Sequence, residues 1–475
     1  MSVATSDSVP SVRGALAALS LSTLLSALGT SIANVGLPSM ANAFGASFQE
    51  VQWIVLAYLL AITTLIVSAG RLGDIIGRRR LLLTGIALFT AASVLCALAA
   101  TLGLLLASRV LQGIGAAIMM ALTLAFIGET VPASRTGGAM GLLGTMSAIG
   151  TALGPSIGGL LIAAFSWRAL FVLNAPLGLA ALVLAHRYLP TDRHLPHAER
   201  EGFDVAGTTL LALTLAAYAL AVTVGRGRFG VLNVALLVAA IVGFGLFILV
   251  ESRAASPLIR LAMLREPTLR AGLVMSALVS TVMMATLVVG PFYLARALGL
   301  DAAAVGLVLA VGPIVTALTG PPAGRIADRF GARRMSIVGL TGIASGALAL
   351  SVSPVSLGVA GYVGPIAIIT AGYGFFQTAN NTTVMSGVDP ALRGVTSGLL
   401  NLSRNLGLIT GASVLGALFA VASSSHDITS ASATALAVGM HTTFAVAAML
   451  AVGALAVAGS SAVEVASLRS IGGPP

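Results

Sequence analysis

The chain has 475 residues, 57% of them hydrophobic and only 8% charged, with a mean hydropathy of +1.03. A soluble protein carries roughly a quarter of its residues as Asp, Glu, Lys and Arg, so a water-facing globule is excluded and most of the surface faces lipid. The net charge of +10 comes from 25 Arg against 15 acids, with no Lys; these arginines lie in short segments between apolar runs, which argues for a topology signal rather than nucleic-acid binding.

A membrane-spanning helix needs about 20 mostly apolar residues. Fourteen runs meet that length in chain order: 14–38, 50–70, 81–102, 104–128, 137–162, 168–189, 204–225, 230–250, 271–295, 303–323, 335–353, 359–385, 394–422 and 441–463. They are numbered here as helices 1 to 14. The first begins after Arg13 and is too long for a signal-peptide core, so it is read as a retained helix. With the N-terminus placed in the cytoplasm, 19 arginines fall on the inner side and four, Arg168, Arg226, Arg228 and Arg296, on the outer side. Arg109 and Arg404 fall inside helices. A frame wrong by one helix would scramble that ratio, so both termini are expected inside. The single Cys96 lies in an apolar run, permits no internal disulfide and reads as a packed thiol.

The chain repeats itself. GRLGDIIGRRR at 70–80 recurs as GRIADRFGARR at 324–334, with Gly70, Asp74 and Gly77 each returning 254 residues later. Helix 5 carries Gly150, Gly154 and Gly159, and helix 13 carries Gly407, Gly411 and Gly416, each 257 residues later. Nearly equal offsets predict two homologous six-helix bundles, 1–203 and 253–475, with helices 7 and 8 (204–252) inserted between them. The expected fold is therefore all-α and integral to the membrane, a pair of pseudo-symmetric bundles around a central cavity with two peripheral helices.

GRLGDIIGRRR resembles the signature between helices 2 and 3 of the major facilitator superfamily. RVLQGIGAA (109–117) resembles its helix 4 motif, GTALGPSIGG (150–159) the helix 5 motif of its antiporters, and LGTSIANVGLP (28–38) the helix 1 motif of drug:proton antiporters. Trp167, Arg168, Phe171, Asn174 and Pro176 match the opening of helix 6 in the fourteen-helix branch. The resemblance covers essentially the whole chain. It implies a secondary transporter working by alternating access, a monomer in a bacterial-type cytoplasmic (inner) membrane, with a small-molecule substrate and protons as coupling ion.

Candidate conformational residues follow. Asp74 ends helix 2, where the resemblance places it against the start of helix 13; by the repeat, Asp328 faces the start of helix 5. Arg78 and Arg333 can pair with carboxylates or lipid phosphates. Gly150, Gly154 and Pro155 suit a closely packed, bent helix. Ala412 stands in the repeat where Pro155 would be, so the bend is expected in one half only.

An arginine in lipid costs several kcal/mol or more, so Arg109 and Arg404 should face the interior, each as a substrate contact or as a structural group satisfied by carbonyls. Gln112 lies one turn from Arg109. Phe376, Gln377, Asn380 and Asn381 on helix 12, Met283 and Tyr293 on helix 9, and Asn34 on helix 1 complete a candidate wall for an amphipathic ligand, with ordinary interhelical packing as the alternative.

The helix 1 motif of drug:proton antiporters usually holds an acid where this chain has Gly29. None of the 15 acids falls at mid-membrane. Proton coupling must then use Glu50, Glu129, Asp301 or His441, and the cargo is expected to be neutral or anionic rather than cationic. Five scattered His and one Cys offer no metal cluster, cofactor site or nucleophile–base pair, so an enzyme is not expected. The expected function is export of small amphipathic compounds. A proton-independent facilitator or uptake carrier of a neutral or anionic metabolite, and a non-transporting receptor or scaffold, are the alternatives.

Overall fold

Helix-forming apolar runs with few breakers give fourteen helical segments in the computed structural model, which describes residues 12–130, 136–192, 204–224, 230–254, 257, 261–386, 393–423 and 431–471. They are α1 (Val12–Phe44), α2 (Phe48–Ile76), α3 (Arg78–Leu98), α4 (Leu102–Thr130), α5 (Thr136–Ala164), α6 (Ala169–Val172, resuming as Asn174–Tyr188), α7 (Val205–Thr223) and α8 (Val231–Arg253). There follow α9 (Pro267–Phe292, ending in a π turn Tyr293–Ala297), α10 (Ala302–Phe330), α11 (Ala332–Val352), α12 (Gly358–Ser386), α13 (Arg393–Thr410, a π turn Gly411–Leu415, then Gly416–Ala422) and α14 (Ala433–Ile471). Twelve spans among the described residues are long and apolar enough to cross a membrane; α5 and α10 contribute the shorter apolar stretches Ile149–Ala164 and Ala302–Thr316. Several helices outrun the apolar windows, α14 most of all, because a helix continues past the hydrocarbon wherever its backbone bonds stay intact.

The neighbour pattern repeats. In the first half α1 packs on α5 and α6, α4 on α2 and α3, and α3 on α6; in the second, α9 packs on α13 and α14, α12 on α10 and α11, and α11 on α14. Small residues set the closest approaches, as expected where lipid removes the hydrophobic drive between helices. A Cβ added to Gly150 would lie 2.5 Å from Leu24 O, and one on Gly158 2.7 Å from Val35 Cγ1; Gly154 likewise sits on Ser31. All three face α1. Gly407 and Gly411 rest on Ala277 O and Thr281 O of α9 in the same way.

The repeat is visible in the backbone too. Gly77 and Gly331, 254 residues apart, both turn the chain with positive φ, +108° and +89°. A side chain is strained in that region, which explains a glycine at both α2–α3 and α10–α11 corners.

Pro155 lies inside the continuous helix α5, and at the equivalent place in the repeat α13 departs from α geometry at Gly411–Leu415, the stretch that contains Ala412. A π turn there does what a proline does elsewhere: it breaks the regular bonding ladder.

The halves touch at the end of the bundle that carries the α1–α2 connection. Phe48 packs edge-on to Phe292 with ring centroids 4.7 Å apart and against Phe419 at 5.8 Å. Arg296 Nη2 donates to Asn42 Oδ1 at 3.0 Å. Of the two inserted helices only α8 is peripheral, with a largely exposed apolar face. α7 bridges both halves: Trp53 Nε1 of α2 donates to Thr223 Oγ1 at 3.1 Å, and Tyr218 Oη donates to Thr410 Oγ1 of α13 at 3.2 Å.

Candidate functional site

Polar residues at i, i+3 and i+4 share a helix face, and two such sets face each other in the second half. Gln377, Asn380 and Asn381 of α12 and Asn401 and Arg404 of α13, with Ser276 and Ser280 of α9, line an open cleft of about 610 Å³, solvent at its mouth included. Tyr373, Phe376, Met385 and Leu400 supply its apolar wall. Asn380 is partly committed to the fold, its Nδ2 donating to Gly272 O at 3.2 Å. Arg404 is half-buried and makes no hydrogen bond or ion pair with another described residue; the same holds for Gln377 and Asn381. No acid is among the described residues that line the cleft. The site therefore offers one guanidinium, orientable amides and two aromatic rings, a set that suits an amphipathic molecule bearing hydrogen-bond acceptors or a negative charge.

Arg109 is the opposite case. It is 0% exposed. Its Nε donates to Ile54 O at 2.8 Å, Nη1 to Gln112 Oε1 at 2.5 Å and Nη2 to Gly29 O at 3.0 Å. Gln112 passes the chain on, Nε2 donating to Ser93 Oγ at 2.7 Å. The guanidinium also lies 4.1 Å from the centroid of the Tyr58 ring, a cation–π distance. It ties α1, α2 and α4 together and is not part of the cleft lining.

That arrangement also accounts for Gly29. A Cβ there would lie 2.7 Å from Tyr58 Oη and 3.1 Å from its Cζ. The Tyr58 hydroxyl is itself fixed, donating to Ser26 O at 2.9 Å. Backbone carbonyls and a ring face hold the arginine, and the space for a helix 1 carboxylate is filled.

The remaining candidates scatter. Asn34 is buried, with Nδ2 donating to Thr30 O at 2.9 Å. Tyr293 is buried and stacks on Tyr362 at 6.1 Å, while Met283 packs against the core; neither lines the cleft. Glu50 caps α2 by accepting from Ser47 N at 2.7 Å, and Asp301 caps α10 by accepting from Ala304 N at 2.8 Å. His441 is half-buried with Nε2 2.8 Å from Ser353 O, tying α14 to the end of α11. Arg78 opens α3 and Arg333 lies exposed in the first turn of α11. The side chains of Asp74, Glu129 and Asp328 lie outside what the structure describes.

Sequence reasoning missed the anion at the α3 N-terminus. Asp192, beyond α6, accepts from Arg79 N at 2.8 Å and from Arg80 N at 3.2 Å, the place where a helix dipole favours negative charge. It also missed Ser276, Asn401 and Gln52. The spacing of Asn401 and Arg404 could have shown the first pairing; nothing in the letters marks the others.

Comparison with known proteins then bears on what such a cleft serves. The sequence model of the Major Facilitator Superfamily matches residues 19–412. The chain is 32% identical over 409 residues to the tetracenomycin C resistance and export protein of Streptomyces glaucescens, covering 85% of this chain and 75% of that one. It is 30% identical over 406 residues to the riboflavin transporter RibZ of Clostridioides difficile, covering 83% and 86% respectively. Its fold matches the crystal structure of a bacterial homolog to the human lysosomal transporter Spinster, in an inward-facing and unoccupied conformation, with a TM-score of 0.69 over 95% of this chain and 96% of that one at 19% identity.

Proposed function

This chain belongs to the Major Facilitator Superfamily and is a multi-pass membrane transporter for a small molecule, and we propose that it exports neutral or anionic amphipathic compounds in exchange for protons. The observation that carries the reading is Arg404: a guanidinium that, like Gln377 and Asn381 beside it, has no partner among the described residues, in a cleft whose described lining holds no acid. A charge in that setting is stable only if water or a ligand solvates it, and a carboxylate or polarised carbonyl on the cargo would do so at hydrogen-bond strength. A lipophilic cation would meet repulsion there.

Transport runs by alternating access. The fourteen helices span a bacterial-type inner membrane with both termini inside, which makes the α1–α2 end the outer side. Closure at that end corresponds to an inward-facing state, and the halves 1–203 and 253–475 rock to expose the cleft outward. Export is supported by the resistance and export protein among the relatives. Of the proton-coupling candidates, Glu50 and Asp301 act as helix caps, which favours His441, whose ring spans α14 and α11. The second reading, a carrier for a neutral metabolite independent of protons, is supported by the amide-rich lining and by the relative that transports riboflavin.

The test is transport in proteoliposomes over matched anionic, neutral and cationic aromatic compounds, with and without a proton gradient. Gradient-driven export of anionic or neutral members is expected. Preferential export of a quaternary ammonium dye sinks the proposal, and transport indifferent to the gradient selects the second reading.

A further inference from the structure

The repeat makes two seams between the halves equivalent, yet they are built differently. In one, α5 meets α10: a Cβ on Gly159 would lie 2.5 Å from Ala302 O, and one on Gly306 would lie 2.5 Å from Pro155 O. In the other, α13 meets α2, and the repeat replaces Gly306 by Gln52, 254 residues earlier, and Pro155 by Ala412, 257 residues later. Gln52 Nε2 donates to Ala412 O at 2.9 Å. Both seams thus approach the same carbonyl, once with bare backbone and once with a side chain.

That carbonyl is special in α13. At the π turn the Gly416 amide reaches back to Gly411 O and Ser413 O and bypasses Ala412 O, the acceptor four residues back that an α-helix would use. Gln52 supplies a donor from the other half. It is 1% exposed, and its Oε1 has no hydrogen-bond partner among the described residues, so the amide is held through its N–H. The side chain lies over Gly416, where any Cβ would overlap Nε2.

We propose that Gln52 is a latch: its bond to the Ala412 carbonyl, released by the π turn, holds the α1–α2 end of the transporter shut. Parting the halves at that end breaks the bond and leaves the carbonyl without a donor in a dry setting. α13 recovers by closing the π turn into α geometry, with the Gly416 amide returning to Ala412 O. Removing one residue from the bulge rotates one part of the helix against the other by about 100°. The turn itself carries the latch bond, the part beyond it carries Phe419 against Phe48, and the part before it carries Asn401 and Arg404. α7 straddles the same seam through Trp53–Thr223 and Tyr218–Thr410, so the inserted helix covers the latched seam. The proposal rests on alternating access but not on the identity or direction of the cargo.

The test uses the full chain with Ser280→Cys as a reporter in the cleft, the buried Cys96 being left in place. A membrane-impermeant thiol reagent is applied with no transported compound present, to right-side-out and to inverted vesicles. In Gln52→Leu, labelling from outside should rise about 3- to 10-fold, the population shift that one hydrogen bond controls, and labelling from inside should fall. Gly416→Ala, which expels the side chain sterically, should act in the same direction, and the double variant should add nothing further. Unchanged labelling in a Gln52→Leu protein that elutes as a monodisperse species overturns the latch, as does a rise from both sides at once, which means general loosening. If Gln52→Leu does not fold, Gly416→Ala is judged by the same two criteria. These readings are independent of whether export occurs at all.

Discussion

Two arginines lie within the helical bundle, one in each half, and they are handled in opposite ways. Arg109 is wholly enclosed and spends its donors on Ile54 O, Gly29 O and Gln112, with the Tyr58 ring beneath it. Arg404 stands at the edge of a cleft with no protein partner among the described residues. A charge in a low-dielectric setting must be solvated by something. Arg109 is solvated by the fold, so it holds helices together. Arg404 is left to whatever enters the cleft, which is why we propose that it selects cargo. Burial of an arginine in a membrane protein therefore does not by itself mark a site; its unspent donors do.

The largest effect should come from breaking the structural member of the pair. Arg109→Leu takes a charged donor away from Ile54 O, Gly29 O and Gln112 Oε1, each such bond worth about 1.5–3 kcal/mol. Loss of folded protein, or a drop in melting temperature well beyond that of any cleft variant, is expected by scanning fluorimetry in detergent. Normal stability of Arg109→Leu would erase the distinction between the two arginines.

Next comes the other member. Arg404→Gln should fold normally and lose about 10-fold or more in kcat/KM for an anionic substrate, the effect of losing a hydrogen bond to a charged group of at least ~1.5 kcal/mol. A neutral substrate of the same shape should lose far less. Equal losses for both would mean that Arg404 acts through shape and not charge.

Gly29→Asp sharpens the contrast from the side of Arg109. An acid beside that arginine is electrostatically welcome, but its Cβ collides with Tyr58. Overpacking of this kind costs about 1–3 kcal/mol, so the variant should melt lower, and Tyr58→Ala in the same chain should recover part of the loss. Recovery failing, the site is closed for a reason other than the tyrosine.

The smallest effect concerns Asp192. Asp192→Ala removes an anion from the α3 N-terminus, worth about 0.3–1 kcal/mol when exposed, and should lower the melting temperature slightly without altering substrate preference.

Much of the fold was legible because lipid leaves few options. Only helices and closed barrels span, and apolar runs of this length select helices, so the all-helical membrane fold could be read directly, with twelve described spans long and apolar enough to cross; Gly77 and Gly331 marked the repeat, and both turn the chain with positive φ. The cleft was half legible: Phe376, Gln377, Asn380, Asn381 and Arg404 were named from residue type and do line it, while Met283 and Tyr293, chosen on the same grounds, pack elsewhere. The rest depended on backbone atoms, which carry no letter. Arg109 is saturated by the carbonyls of Ile54 and Gly29. The π turn at Gly411–Leu415 has no proline to betray it, and its released carbonyl is met by a glutamine 360 residues away.

The most direct test of the central claim is the specificity ratio for one matched pair of compounds, an aromatic carboxylate and its carboxamide, transported in proteoliposomes by the parent chain, Arg404→Gln and Arg109→Lys. The ratio of kcat/KM values is predicted to fall about 10-fold or more in Arg404→Gln and to stay at the parental value in whatever fraction of Arg109→Lys is folded. A ratio that holds in Arg404→Gln, or that collapses in Arg109→Lys, contradicts the assignment of cargo to one arginine and architecture to the other.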